Sequence, residues 1–210
     1  MIFQQLEVKD KNGEPVAGAI AELHNMVTQE KMFAVVDSIT GKGMFAINID
    51  KKEPISITIK KDSVAFNTTI VDLKNMNLTS SSTPAPISVK VEKSEKGKNF
   101  IIDNLHYKTN SAEIASESKA VLDAFAIYLL DNPNMHVEIQ GHTDNTGNPK
   151  DNEALSRDRA YSVKQYLEEQ KVPGKRVSAQ GFGPNKPIAD NKTEAGRALN
   201  RRTEFVILED

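Results

Sequence analysis

Short apolar runs separated by turn residues fill residues 1–91, and none of these runs has helical spacing. Ile55, Ile57 and Ile59 alternate with polar residues, which is the period of a half-buried strand. Residues 40–43, between two apolar runs, have the composition of a hairpin turn. The pattern predicts a small all-β sandwich, with strands near residues 6–8, 19–23, 32–36, 44–49, 55–59, 66–71 and 87–91.

From residue 99 onward, strand and helix periods alternate. Val121, Leu122 and Phe125 follow the spacing of an amphipathic helix, which Pro133 ends. Strands that alternate with helices predict an α/β domain in which helices pack on a mixed sheet. We expect its strands near residues 99–106, 135–140, 177–180 and 203–208, and its helices near residues 116–131, 150–170 and 193–199.

The change of period near residue 99 divides the chain, whose 210 residues suit two small domains or one large one. We predict a β-sandwich domain over residues 1–93, a charged linker over 94–98 and an α/β domain over 99–210. The Ser- and Pro-rich stretch over 80–86 resembles a linker, but the strand pattern resumes after it. We therefore interpret it as a loop inside the sandwich.

Composition excludes several classes of function. The chain has no cysteine, which excludes disulfides, thiolate nucleophiles and Cys-based metal sites. Its formal net charge of −2 provides no general attraction to nucleic acid. The four histidines are scattered, so we expect no metal and no cofactor. We find no convincing nucleophile, metal cluster or pair of catalytic acids, and we expect no enzymatic activity.

No apolar run is long enough to cross a bilayer, so we expect no membrane span in this chain. The first ten residues lack the basic start and apolar core of a secretory signal. If the protein acts outside the cytoplasm, we therefore expect this chain to be a mature form or a fragment.

An arginine interrupts the apolar stripe of the second predicted helix. With Leu155 at zero, Arg159 lies at about 40° and Asn152 at about 60° around the helix axis. An arginine inside such a stripe must meet an anion or extend past its edge to water. The pattern leaves three explanations open: an internal salt bridge, an extended side chain, or an anion-binding site beside Asn152.

The loop that precedes this helix carries the opposite charge. The predicted strand ends at Gln140 and leads into a loop that contains Asp144, and α/β sheets often form sites at such strand ends. An arginine pairs with a carboxylate through its planar fork of donors, and an aspartate accepts hydrogen bonds from an ammonium. Asp144 and Arg159 together are therefore suited to a zwitterion.

The C-terminal half also resembles a known family through several motifs that occur in the expected order. They are Gly141-His142-Thr143-Asp144, Asn152, Leu155-Ser156-x-x-Arg159-Ala160, Gln180-Gly181-Phe182-Gly183 and Asn200-Arg201-Arg202. Residues 107–114 and 187–190 fit the same family. Over about residues 99–208 the chain is thus similar to the OmpA-like peptidoglycan-binding domain.

This resemblance implies noncovalent binding of peptidoglycan through the diaminopimelate residue of its stem peptide, which would anchor an outer-membrane or periplasmic protein to the cell wall. It implies that Asp144 accepts hydrogen bonds from the diaminopimelate ammonium and that Arg159 pairs with its carboxylate. It also implies that Asn152 lines the cleft, that Arg201 lies close by, and that backbone amides near Thr109 and Asn110 contact the ligand.

Lys108 departs from the family pattern, because many members carry aspartate at this position. If the side chain of that aspartate helps to hold the ammonium, Lys108 would weaken binding or change the ligand preference. If the contact there is made by the backbone, the change has little effect.

The N-terminal part resembles a carboxypeptidase-regulatory-like sandwich over residues 8–19 and 37–45. That resemblance implies a spacer in an envelope protein and suggests that the chain is part of a larger one. We expect a periplasmic, outer-membrane-associated location. The alternative function is a structural envelope protein whose β-sandwich binds a protein or glycan partner.

Overall fold

The computed structural model describes residues 1–28, 30–48, 52–62, 64–76 and 84–209. The chain forms two compact units, Met1–Ser94 and Glu95–Asp210. The first unit is built from β-sheets, and the second combines a mixed sheet with helices, which confirms the predicted fold classes. The predicted loop over 80–86 lies outside the described residues at positions 80–83, as does residue 49 of the fourth predicted strand.

Two sheets enclose the core of the N-terminal unit. One has the order β4-β1-β7 and the other β3-β2-β5-β6. Alternate residues of each strand point inward, so that Leu6, Leu23 and Ile57 from both sheets are fully buried in a single apolar cluster. The strands are β1 (Ile2–Asp10), β2 (Ile20–Asn25), β3 (Lys31–Val35), β4 (Lys42–Ile47), β5 (Ile55–Lys60), β6 (Thr69–Val71) and β7 (Ile87–Val91).

The hairpin predicted around residues 40–43 is wrong. Strand β3 pairs with β2, whereas β4 pairs with β1, so the connection between them crosses from one sheet to the other. The Asp37 carboxylate stabilises this crossing, because it accepts hydrogen bonds from the backbone amides of Ile39 at 3.1 Å and Thr40 at 2.7 Å. Turn residues suit a hairpin and a crossing equally well, so composition could not distinguish them.

Two further strand predictions need correction. Strand β5 is buried on both faces, since Ser56 and Thr58 are only 2% and 7% exposed. Its alternation therefore does not mark a solvent-facing side: on the polar face the Thr58 hydroxyl lies 3.4 Å from the hydroxyl of Thr68, which is also buried. The strand expected over 66–71 covers only Thr69–Val71.

The C-terminal unit has a four-stranded sheet in the order β10-β9-β11-β8. Strands β9 and β10 are parallel, and β11 runs antiparallel to both β9 and β8. Its elements are β8 (Asn99–Ile101), α1 (Lys119–Asp131), β9 (His136–Gly141), α2 (Pro149–Glu169), β10 (Val177–Gly181), α3 (Glu194–Asn200) and β11 (Thr203–Glu209).

Strand β8 ends at Ile101 rather than at residue 106 as predicted. After it, Asn104 adopts a left-handed conformation with φ of 61°, which turns the chain away from the sheet. The backbone amide of His106 then donates to the Ser118 hydroxyl at 2.7 Å instead of to a strand. The segment that follows is therefore free to form one wall of a cleft.

Helices α1 and α2 cover one face of this sheet. Phe205 in β11 contacts Phe125 of α1, with ring centroids 4.8 Å apart, and also Phe100 of β8, at 5.2 Å. Val163 and Leu167 of α2 are fully buried.

Among the described residues, no helix is long and apolar enough to span a membrane.

Two glycines let α2 approach the ends of β9 and β10. Gly141 and Gly181 lie opposite each other in the parallel pairing, and a Cβ atom on either would overlap the backbone of Ser156 or Arg157. The Ser156 hydroxyl also accepts a hydrogen bond from the amide of Gly183 at 2.8 Å. This close contact sets the first turns of α2 beside the loops that follow β9 and β10.

A buried arginine closes the other end of the unit. Arg176 is 6% exposed, and its Nη1 donates to the carbonyl oxygens of Leu129, Asn132 and Met135 at 3.0, 2.8 and 3.2 Å. The last carbonyls of a helix have no partner within the helix. Arg176 therefore satisfies the end of α1 and the turn after it.

Candidate functional site

One cavity of about 660 Å³ in the C-terminal unit is lined by all six residues that the sequence predicted as ligand contacts. Three segments form its walls: the loop after β8, the loop between β9 and α2 with the first turns of α2, and the short helix α3. The structure thus brings these residues together, while their contact with a ligand stays a prediction. They are Thr109, Asn110, Asp144, Asn152, Arg159 and Arg201.

Asp144 lies in the loop after β9 and is only 7% exposed. Its Oδ1 accepts from the backbone amide of Thr146 at 2.8 Å, and its Oδ2 from Nη1 of Arg201 at 2.7 Å. Burial would raise the pKa of Asp144, but the hydrogen bonds from Arg201 and Thr146 outweigh it and hold the pKa below its ordinary value. Asp144 is therefore an ionised acceptor at neutral pH.

Asn152, in the first turns of α2, holds the Asp144 loop in place. Its side-chain amide donates to the carbonyl oxygen of Thr146 at 2.9 Å and, more weakly, to that of Asp144 at 3.4 Å. The helix begins just before it, where Asn148 caps the first turn by accepting from Lys150 at 2.9 Å. Asn152 therefore shapes the cavity wall as well as lining it.

Arg159 lies at the edge of the buried stripe of α2. Ser156, Ala160 and Val163 form the buried part of that stripe, so its centre is displaced from Leu155, on which the sequence prediction placed it. Arg159 is therefore half-buried and faces the cavity instead of the core.

The guanidinium of Arg159 is only partly satisfied by the protein. Its Nε donates to the carbonyl oxygen of Ser111 at 3.0 Å, and the group stacks 4.9 Å from the centre of the Tyr107 ring. Within the part of the chain that the structure describes, no carboxylate lies within 4.0 Å of it. Burial lowers the pKa of Arg159, although arginine keeps its proton in proteins. The internal salt bridge left open by the sequence is thus not seen among the described residues.

The ring of Tyr107 packs against the guanidinium of Arg159. Its hydroxyl shares a hydrogen bond of 3.0 Å with the Thr203 hydroxyl, and burial raises its pKa to about 12. The aromatic ring therefore stays neutral and offers its face to the guanidinium.

Thr109 and Asn110 form the tip of the exposed turn that follows Tyr107. Asn110 has φ of 52°, and the backbone amide of Ser111 closes the turn on the carbonyl of Lys108 at 3.1 Å. Lys108 lines the cavity, but its ammonium pairs with Glu113 across the same turn, and both side chains are 61% exposed. The positive charge of Lys108 is therefore already compensated by the protein.

Arg201 connects the Asp144 loop to helix α3, which ends one residue before it. Its Nη2 contacts Oε1 of Glu194 at 2.6 Å, while Nη1 contacts Asp144. Arg197 contacts the same glutamate, with Nε 3.0 Å from Oε2. These hydrogen bonds hold the pKa of Glu194 below its ordinary value.

Glu194 and Arg197 belong to the cavity wall, yet the sequence interpretation did not include them. Their spacing of three residues is common on exposed helices, where it stabilises the helix locally. Only the fact that both side chains line the cavity distinguishes this pair from an ordinary surface pair.

A buried polar cluster lies next to the cavity. Glu204 is 5% exposed and accepts hydrogen bonds from Nε of Arg202 and Nδ2 of Asn99, each at 2.6 Å. Its Oε2 is also 3.4 Å from Nε2 of His142, a contact that lacks hydrogen-bond geometry. Burial opposes ionisation of Glu204, but these groups outweigh it and lower its pKa to about 2.

No group of three His, Asp or Glu side chains among the described residues could hold a metal ion.

Comparisons with known proteins find relatives of the C-terminal unit. Residues 106–201 match the OmpA family. Outer membrane protein Omp38 of Acinetobacter baumannii is 42% identical over 120 residues, which cover 57% of this chain and 33% of that protein. The peptidoglycan-associated lipoprotein of Buchnera aphidicola is 31% identical over 116 residues, which cover 55% of this chain and 64% of that protein.

Among solved structures, the peptidoglycan-associated lipoprotein from Burkholderia pseudomallei has 31% sequence identity and a TM-score of 0.45, over 52% of this chain and 88% of that chain. The chain spans only about a third of the length of Omp38. The family match leaves the N-terminal unit unassigned, so its resemblance to a carboxypeptidase-regulatory-like sandwich stays a prediction.

Proposed function

Because residues 106–201 of this chain form an OmpA-like domain, we propose that the protein binds peptidoglycan noncovalently through the diaminopimelate residue of the stem peptide. By this contact it anchors an outer-membrane or periplasmic protein to the cell wall. The name of the Buchnera relative, a peptidoglycan-associated lipoprotein, supports this assignment.

One observation carries the proposal: the cavity contains an arginine without a carboxylate partner among the described residues and, in the same cavity, an ionised aspartate. The free end of diaminopimelate has an ammonium and a carboxylate on one carbon atom. The planar fork of Arg159 suits the carboxylate, and Asp144 suits the ammonium. The ligand would thus supply the partner that the fold does not give to Arg159.

Asp144 keeps capacity for a ligand although it already accepts two hydrogen bonds. An ionised carboxylate has about four acceptor positions, of which Thr146 and Arg201 use one each. Arg201 also keeps Asp144 ionised and oriented. Thr109 and Asn110 line the same cavity, and we propose that their backbone amides contact the ligand.

The test is calorimetric titration with a diaminopimelate stem peptide and with the lysine analogue, which lacks the second carboxylate. We expect saturable binding of the first and much weaker binding of the second. Saturable binding of the two peptides with equal affinity would contradict the role of Arg159, and binding of neither would contradict the proposal as a whole.

Substitutions assign the contact to named residues. Truncation of one partner in a desolvated charge pair costs about 2–5 kcal/mol, so Asp144→Ala and Arg159→Ala should each weaken binding by about 30-fold or more. Arg157→Ala and Asp158→Ala are matched controls, because both side chains lie exposed on α2 outside the cavity. Wall binding retained by both folded cavity variants would refute the assignment.

Two other functions predict different results. A wall-degrading enzyme would release fragments from muropeptides when divalent metal ions are added, and we expect no cleavage. An interaction protein that acts through its β-sandwich would retain its envelope partner when Asp144 and Arg159 are both replaced.

A further inference from the structure

The cavity wall contains a second arrangement of charges besides Asp144 and Arg159. Glu194 is held between two arginines: Nε and Nη2 of Arg197 both lie 3.0 Å from its Oε2, and Nη2 of Arg201 lies 2.6 Å from its Oε1. Two guanidinium groups therefore converge on one point of the wall, and that point already accommodates a carboxylate.

The carboxylate at this point is easily exchanged. The side chain of Glu194 is 66% exposed, against 28% for Arg197 and 40% for Arg201, so water and salt reach the carboxylate and weaken both ion pairs. Replacing one carboxylate by another leaves both guanidinium groups with a partner. An incoming carboxylate can therefore displace Glu194 without leaving either arginine unpaired.

The balance of charge in the cavity favours an additional negative group. The lining has four cationic side chains, Lys108, Arg159, Arg197 and Arg201, against two carboxylates, Asp144 and Glu194. Glu113, just outside the lining, compensates Lys108. The net charge of the cavity, with Glu113 included, is therefore +1. Binding of a zwitterion, whose own net charge is zero, does not change it. A ligand with one more carboxylate complements the cavity better.

The size of the cavity allows such a ligand. Its volume of about 660 Å³ lies within the range of about 300–1,000 Å³ that is typical of sites for whole small molecules. Arg159 and Arg197 line the same cavity, so one ligand can reach both.

We propose that Arg197 and Arg201 form a second carboxylate subsite, in which Glu194 is replaced by a further carboxylate of the stem peptide on binding. The inference rests on the proposed function, because Asp144 and Arg159 must first place the diaminopimelate. Two carboxylates of a stem peptide have the required chemistry: that on the glutamyl residue next to diaminopimelate, and that at the C-terminus of the peptide.

The experiment compares three stem peptides by calorimetry: the parent, one amidated at the glutamyl carboxylate, and one amidated at the C-terminus. For the unchanged protein, we expect one of the two amidations to weaken binding by about two- to five-fold, as for a partly exposed charge pair. The amidation that does so identifies the carboxylate. If neither amidation changes the affinity, the subsite does not exist.

Variants test the exchange itself. Glu194→Gln removes the competing carboxylate, so it should tighten binding of the parent peptide and enlarge the loss on amidation. Glu117→Gln, an exposed change of the same charge outside the cavity, should do neither. Equal weakening of all three peptides by Glu194→Gln would overturn the exchange, because it would mean that Glu194 positions Arg201 instead.

Arg197→Gln should abolish the difference between the parent and amidated peptides while preserving diaminopimelate binding. Its Nη1 also donates to the carbonyl oxygen of Asn191 at 2.9 Å, so thermal unfolding must confirm that the variant is folded. If Arg197→Gln does not fold, the effect of Glu194→Gln on the three peptides tests the carboxylate exchange by itself. Absence of saturable binding for all three peptides would refute the proposed function and this inference together, whereas binding without discrimination would refute only the inference.

Discussion

The end of helix α1 and the cavity beside helix α2 each contain an arginine with limited access to water. At the end of α1, Arg176 donates to three backbone carbonyls. In the cavity, Arg159 donates through Nε to one carbonyl and stacks on Tyr107, and no carboxylate among the described residues pairs with it. The fold thus uses the donors of Arg176 for its own stability, whereas the terminal nitrogens of Arg159 have no hydrogen-bond partner among the described residues. Burial of a charge does not by itself indicate a binding site, whereas a half-buried charge with unused donors favours one.

The largest expected effect comes from Arg176→Met. The change leaves the carbonyl groups of Leu129, Asn132 and Met135 without their donor in a buried position. We expect the free energy of unfolding, measured with denaturant, to fall by about 3–5 kcal/mol. The affinity of the folded fraction for the stem peptide should stay unchanged. Lys175→Met, on the exposed neighbour, is the control and should change stability by about 0.5 kcal/mol or less.

The same substitution at Arg159 should strongly weaken stem-peptide binding and leave the free energy of unfolding nearly unchanged. Arg159→Met removes the charge that we propose to pair with the ligand carboxylate, so affinity should fall by about 30-fold or more. The free energy of unfolding should change by less than about 1 kcal/mol, since only one hydrogen bond and a stacking contact are lost. If Arg159→Met destabilises the protein as strongly as Arg176→Met, the distinction between the two arginines fails.

The buried carboxylate of Glu204, like Arg176, contributes to stability, and its contribution should depend on pH. The pKa of Glu204 is lowered from 4.5 to about 2, so its ionised form stabilises the folded state above pH 4.5 and this contribution is lost as the pH falls from about 4.5 to about 2. We expect a loss on the order of 2 kcal/mol, because each pKa unit corresponds to about 1.4 kcal/mol and the denatured chain retains part of the interaction. Unfolding curves at several pH values, with Glu204→Gln alongside, measure it. An equal acid sensitivity in that variant would show that other groups are responsible.

The smallest effect is expected for a residue that lines the cavity but has a partner of its own. Lys108 pairs with Glu113, and both side chains are mostly exposed. Lys108→Ala should therefore change stem-peptide affinity by less than about three-fold. A loss of ten-fold or more in the same titration would place Lys108 among the ligand contacts.

The sequence predicted the C-terminal fold better than the arrangement of the N-terminal strands. Helices α1 and α2 have long apolar stripes and clear ends, at Pro133 and at Asn148 with Pro149, so their type and extent follow from local chemistry. The crossing after β3 could not be predicted, because strand pairing is set by long-range packing. The early end of β8 could not be predicted either, because the backbone amide of His106 donates to the Ser118 hydroxyl, 12 residues along the chain, instead of to a neighbouring strand.

For the site, the sequence identified the residues with unusual positions: Arg159 in an apolar stripe and Asp144 in a loop at a strand end. The family resemblance added Thr109, Asn110, Asn152 and Arg201. Glu194 and Arg197 were not among the predicted site residues, because their local pattern is that of any exposed helical pair.

By itself, the sequence determined the two fold classes, the helices of the C-terminal unit and the charged residues suited to a zwitterion, because periodicity and side-chain chemistry are local properties. Only the tertiary structure decided which arginine is used up by the fold and which faces a cavity. It also decided that Lys108 is paired and that Glu194 lies between two arginines. These outcomes depend on distances between segments such as 107–113, 142–159 and 194–201, and such distances are set by packing and not by the spacing of residues along the chain.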